Sequence, residues 1–401
     1  MASAPLEISE EAAPVAAAPP LPSLRGHVPA LDGVRGLAIL LVLLLHFVSN
    51  TRATNSFEAV VGKAFAYGLY GVDLFFVLSG FLITGILYDA RQKPHYFRNF
   101  YARRFLRIFP LYYGVLAILF FVLPLVPAFR GPALQELRSH QAWAWLYGIN
   151  FYVAGKGTWT GALPYIDHFW SLAVEEHFYF VWPLVVWFLA KRPRLLLGVS
   201  FGLSAGAMIA RVVAEAAGVP TVTAAVLTPF RLDGLAMGGF LAVLARQPGG
   251  PATIVRWFPR VAAAAAVCLA SIVTWSHVSE AGASVLRPMR ASFILLLLAT
   301  LLLWAVAAPK QTLVSRVFTS APMVFLGTYS YGLYVYHHFL AYYFNSHGTE
   351  FVVQRWVGSH TVAVALQATA GIGLSIAVAY LSYQLVEKQF LKLKGHFESS
   401  R

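Results

Sequence analysis

Long apolar runs separated by short basic segments set the pattern of this chain. Runs long enough to cross a bilayer fall at roughly 31–49, 66–88, 107–127, 171–190, 195–217, 223–245, 259–277, 290–308, 321–344 and 362–386, taking about 20 residues per helical crossing. The pattern predicts an all-α integral membrane protein with about ten transmembrane helices. One apolar stretch, "AWAWLYGINFYVAG" at 142–155, is too short to cross, which suggests a re-entrant or interfacial piece. Basic runs such as "ARRFLR" (102–107), "KRPR" (191–194) and "EKQFLKLK" (387–394) fall on one side if both termini are cytoplasmic, the side where Lys and Arg accumulate.

Composition agrees. The 401 residues are 58% hydrophobic and 12% charged, with a mean hydropathy of +0.65. Soluble chains average about 25% charged residues, so a soluble enzyme is excluded. The net charge of +13 lies in the segments between apolar runs, which argues for a membrane topology signal and against nucleic acid. The single cysteine, Cys268, allows neither an intrachain disulfide nor a thiolate metal cluster. Residues 1–29, rich in Ala and Pro with early glutamates and no signal-peptide layout, read as a disordered tail; residues 391–401 read as a short cytoplasmic tail.

Charged residues inside apolar runs need a reason, because a charge at mid-bilayer costs about 3 kcal/mol or more. In "LDGVRGLAILLVLLLHFVSN" (31–50), Arg35 and His46 are eleven residues apart. On a helix that is about 20° past three full turns and about 16 Å along the axis, so they share a face, one near the cytoplasmic mouth and one deeper. Arg offers a planar fork suited to phosphate, and His handles protons near neutrality. A phosphorylated donor held at the mouth would fit, and so would a plain Arg35–Asp32 packing pair.

Arg98, Arg103, Arg104 and Arg107, interleaved with aromatics, suit either acidic lipid head groups or a phosphate-rich ligand. "DHFWSLAVEEHFYFVWP" carries Asp167, His168, Glu175, Glu176 and His177. Its spacing matches no zinc signature, so no metal is expected, and a carboxylate orienting His46 or an acceptor hydroxyl fits better. Asp73, the pair Arg231 and Asp233, and His337 with His338 are further intramembrane polar groups. Arg231 and Asp233 would neutralise one another despite their poor two-residue spacing, and Arg211 with Glu215 forms an i, i+4 pair. Such groups also suit a multipass proton-coupled transporter.

The stretches "LDGVRGLAILLVLLLH", "GVDLFFVLSGFLIT", "RRFLRIFPLYY", "FWSLAVEEHFYFVWPL", "RLDGLAMGGFLA", "LGTYSYGLYVYHH" and "SYQLVEKQF" run in order from Leu31 to Phe390. In that combination the chain closely resembles the acyltransferase-3 family of membrane proteins, which O-acylate sugars and other hydroxyl compounds. The resemblance implies a transmembrane acyltransferase domain over 30–390 in a bacterial inner membrane. It also implies acyl-CoA, usually acetyl-CoA, as co-substrate, and an acceptor such as a glycan or a secondary metabolite. Arg35 and His46 match the family's Arg–His spacing, Arg103, Arg104 and Arg107 its basic motif, and Glu176, Arg231 and His337 further motif positions. His46 then acts as general base or is transiently acylated. The family's closing Glu-x-Pro is absent, since Lys388 and Gln389 follow Glu387, and no hydrolase-like domain fits after residue 390.

Overall fold

The computed structural model describes residues 26–127, 130–159, 163, 165–278 and 280–397, so almost all of the expected N-terminal tail lies outside the described residues. The chain begins with α1 (Pro29–Leu44), which runs on into a π-helical turn, Leu45–Ser49. α2 (Ser56–Ala66) and α3 (Tyr70–Ala90) return across the bundle, and α4 (Tyr96–Ala117) follows. Three short helices come next, α5 (Pro132–Ser139), α6 (Gln141–Trp145) and α7 (Ile149–Lys156). Then come α8 (Trp170–Leu189), α9 (Pro193–Ala216), α10 (Thr221–Val226), α11 (Thr228–Leu244), α12 (Gly250–Val278) and α13 (Glu280–Ala307). The last part contains α14 (Leu313–Phe318), α15 (Ala321–Thr328), α16 (Ser330–His347), α17 (Thr349–Val357), α18 (His360–Ser382) and α19 (Lys388–Lys392).

Among the described residues there are nine helical stretches long and apolar enough to span a bilayer, as expected of an all-α membrane protein. The tenth expected span, 321–344, is split between α15 and α16, where Ser330 Oγ donates to Gly327 O at 2.8 Å. α16 carries His337, His338, Asn345 and several tyrosines, which lowers its hydropathy below that of a lipid-facing helix. Arg35, near the start of α1, and Lys394, beyond α19, line one cavity, so the two ends of the bundle meet at one face. The short apolar stretch 142–155 forms α6 and α7, of five and eight residues, and buries Ile149, Tyr152 and Val153 in the core without crossing.

Helix pairs approach closely where glycine removes the side chain, the usual way of packing helices in lipid. A Cβ on Gly80 of α3 would lie 1.9 Å from Leu235 O of α11, and one on Gly238 would lie 2.0 Å from Val77 O. Gly80→Ala is therefore expected to force α3 and α11 apart, at a cost of about 3 kcal/mol. Thermal unfolding in detergent would show a lowered midpoint, whereas Gly114→Ala, with open space at its Cβ, should leave the midpoint unchanged or raise it.

Two buried ion pairs tie α11 to its neighbours and correct the pairing expected from sequence. Arg231 meets Asp73 of α3 at 2.6 Å, and Asp233 meets Arg211 of α9 at 2.6 Å. Residues two apart on a helix point about 200° away from each other, so Arg231 and Asp233 turn to opposite partners. Arg211 thus leaves Glu215, which lies 3.8 Å from Arg287 instead. After Glu387 the helix is not terminated. α18 (His360–Ser382) passes through a π turn, Tyr383–Glu387, straight into α19 and then a 3₁₀ segment, Leu393–Phe397, in keeping with the missing proline.

Candidate active site

A cavity of about 340 Å³ opens at the face where the two ends meet. α1, α3, α4, α8, α16 and the C-terminal segment form its walls, and each contributes through the face its periodicity turns inward. Five cationic side chains line it, Arg35, Arg103, Arg104, Arg107 and Lys394, against two carboxylates, Glu175 and Glu176. The imbalance gives the cavity a positive potential, which favours anions over cations. Arg35 pairs with Asp32, which also receives His27 at 2.6 Å. The Arg104 guanidinium lies 5.6 Å from the centre of the Tyr179 ring, and Tyr179 is hydrogen-bonded to Ser79. On α3 the lining runs from Ile86 to Val72, about 21 Å at 1.5 Å per residue. This is a long slot reaching well into the bundle.

The deep end of the slot is closed by Ser171 and Tyr334. Their hydroxyls are 2.5 Å apart, and Tyr334 also donates to His168 O at 3.0 Å. Directly behind this floor stand four histidines. His168 Nε2 lies 3.1 Å from Tyr334 O, His337 Nδ1 lies 2.8 Å from the same carbonyl, and the His46 ring is 4.9 Å from that of His337 and 5.0 Å from that of His338.

The backbone partners fix which nitrogens carry protons. His337 Nδ1 must donate to the Leu333 and Tyr334 carbonyls, leaving Nε2 as an acceptor 3.4 Å from His46 Nδ1. His46 Nδ1 donates to Val42 O at 2.9 Å and faces that acceptor. His46 Nε2 is therefore left with its lone pair, the state a general base requires. His168 spends its Nε2 proton on Tyr334 O, and its Nδ1 is buried without a hydrogen-bond partner. His338 Nε2 lies 3.3 Å from Asp167 Oδ1. His46 itself sits in the π turn that ends the first span, a local widening often found where a helix bears function.

The structure brings Arg35, Arg103, Arg104, Arg107 and Glu176 to the cavity, and His46 and His337 to the histidine cluster behind it. It does not bring Glu176 to His46; the nearest ring partners of His46 are His337 and His338. Asp73 and Arg231 hold one another between α3 and α11. The guanidinium of Arg231 stands 5.5 Å from the Phe76 ring centre and 5.6 Å from that of Trp170. Asp32 serves Arg35. Asp167, His168 and His338 place one ligand atom each within 4.8 Å of one another. Hydrogen bonds already engage Asp167 Oδ1, which receives His168 N–H at 2.7 Å. His177 lies apart, bonded to Thr228 Oγ1 at 2.7 Å.

Sequence reasoning missed Ser171, Tyr334 and Lys394. Tyr334 was within reach, because it lies three residues before His337 on one helix and so shares its face. Ser171 and Lys394 come from remote elements and carry no local signal.

Residues 28–384 match the family described as an acyltransferase domain. The chain is 28% identical over 329 residues to the peptidoglycan O-acetyltransferase OatA of Listeria monocytogenes, covering 78% of this chain and 49% of that protein. It is 25% identical over 386 residues to the O-acetyltransferase OatA of Staphylococcus aureus, covering 91% and 57%. A putative peptidoglycan O-acetyltransferase, YrhL of Bacillus subtilis, is 32% identical over 206 residues, covering 49% and 30%. The chain thus spans about half the length of the first two of these relatives. No solved structure matches it.

Proposed function

Since the chain belongs to the acyltransferase-3 family, we propose that it is a membrane O-acyltransferase that moves an acyl group, acetyl by default, from acyl-CoA to a glycan hydroxyl. The observation that carries this reading is the shape of the slot. It begins among five cations and ends on Tyr334, whose carbonyl fixes His168 and His337 beside His46. The nucleotide end of CoA carries several phosphate charges, which suits Arg103, Arg104 and Arg107. Its thioester arm would run down the slot toward the floor.

In the step proposed, His46 Nε2 takes the proton of an acceptor hydroxyl as its oxygen attacks the thioester carbonyl. The C–O bond forms, the C–S bond breaks, and the proton passes from His46 to the departing thiolate, so CoA leaves as its thiol. Transient acylation of His46 is the other route. Mass spectrometry after incubation with acetyl-CoA should find unmodified His46 if base catalysis is the path, and an acetyl adduct if it is not.

The glycan acceptor is supported by relatives named peptidoglycan O-acetyltransferases. Their bacterial sources support a plasma-membrane location, where lipids surround the bundle. Nothing among the comparisons favours a carrier. Acetyl-CoA binding to the detergent-purified protein tests the reading without knowledge of the acceptor. The Arg103→Ala, Arg104→Ala variant is expected to bind at least about 100-fold more weakly, since each charge-assisted contact is worth about 1.5–3 kcal/mol, or roughly 10- to 100-fold, and two are removed. Wild-type protein that binds no acyl-CoA would return the bundle to the transporter reading.

A further inference from the structure

The last ten described residues of the chain do not hang free. α19 and the 3₁₀ segment that follows it pack against α4, the helix that carries Arg103, Arg104 and Arg107. Lys394 enters the wall of the slot. Phe397 enters the wall of a second, larger cavity of about 960 Å³ next to it, which shares Arg103, Phe100, Leu82 and Ile86 with the slot and adds Arg91 and Lys93. Both residues lie beyond the last family-matched position, 384, so the resemblance assigns them nothing.

From this placement we infer that the C-terminal segment Lys388–Phe397 is part of the donor mouth and that Lys394 binds the phosphates of the acyl donor, a reading that rests on the acyl-CoA function proposed above. A lysine ammonium set among three arginines is repelled by each of them unless an anion lies between. The cavity's own carboxylates, Glu175 and Glu176 on α8, face Arg104, whereas the charged neighbours of Lys394, which comes from the segment laid over α4, are Arg103, Arg104 and Arg107. A multiply charged phosphate group at the mouth would lie within reach of the arginines and the lysine together and offset their mutual repulsion. Arginine forks supply directional pairs of hydrogen bonds, and the flexible lysine adds a point charge that can follow the ligand as it enters. Two neighbouring cavities with shared walls also fit a ligand with a bulky charged end and a narrow arm.

The test compares binding by full-length wild type, Lys394→Ala and Lys394→Arg in detergent, using three probes. Acetyl-CoA carries the phosphates and the arm, adenosine 3′,5′-bisphosphate only a phosphorylated nucleoside, and S-acetylpantetheine only the arm. Lys394→Ala is expected to raise Kd about tenfold for the two phosphorylated probes and to leave S-acetylpantetheine unchanged, with Lys394→Arg recovering most of the loss. Equal weakening toward all three probes would show a merely structural segment and overturn the inference, as would unchanged Kd values. Wild type that binds none of the probes would remove the acyl-CoA reading and this one with it. Wild type that binds acetyl-CoA with an unaffected Lys394→Ala variant would remove this one alone.

Discussion

His46→Ala should lose acyl transfer by about 10²- to 10⁴-fold, the range that a positioned general base contributes, while acetyl-CoA binding stays within about twofold of wild type. The separation follows from the geometry. His46 stands in the histidine cluster behind the floor of the slot, whereas the cations that would hold the donor line its mouth. His337→Ala should show a smaller loss, because His337 presents an acceptor to His46 Nδ1 at 3.4 Å and so steadies the ring. Time courses of acetyl release from labelled acetyl-CoA, run beside equilibrium binding of the same donor, distinguish the two effects. Normal transfer by His46→Ala would remove this residue from the chemistry, by base or by adduct. A parallel collapse of donor binding would show that the residue supports the fold.

Asp73→Asn should be among the most destabilising single changes in the bundle, at about 3–5 kcal/mol, because it strands a buried guanidinium. Arg231 has Asp73 at 2.6 Å, and both side chains are almost wholly out of contact with solvent. The comparison is Asp89→Asn. Asp89 pairs with Arg246 at 2.8 Å, but its side chain is 50% exposed, so its loss should cost no more than about 1 kcal/mol. Removing both members of the buried pair, as in Asp73→Asn with Arg231→Gln, should recover part of the loss, since no lone charge remains. Midpoints of thermal unfolding in one detergent, with yields of monodisperse protein, read all three variants. If Asp73→Asn melted like Asp89→Asn, the pair would not be holding α3 to α11. Because Phe76 lines the slot and also faces the Arg231 guanidinium, a folded but loosened variant should also show weaker donor binding.

What could be read from the chain was what depends on local periodicity and on the cost of polarity in lipid. Runs of about twenty apolar residues placed the spanning helices, and the short run at 142–155 was recognisable as something other than a crossing. Helix geometry put Arg35 and His46 on one face of the first span, and the crowded basic residues at 103, 104 and 107, which suited lipid head groups as well as a phosphate-rich ligand, prove to line one cavity together. Long-range partners were not readable in this way. The reach of Arg231 to α3 and of Asp233 to α9 depends on which helices pack around α11, and no spacing along one helix encodes that. The same holds for Lys394, some 290 residues from Arg104 in the chain and beside it in space. Nor does the sequence announce the π turn that carries His46, because a widened turn is selected by the neighbours it must fit. Above all, the floor of Ser171 and Tyr334 and the four histidines behind it are assembled from the first span, α16 and the start of α8. Hydrophobic patterning decides which segments enter the membrane. Only close packing, with glycines letting backbones approach and buried charges seeking partners, decides which polar side chains meet inside it.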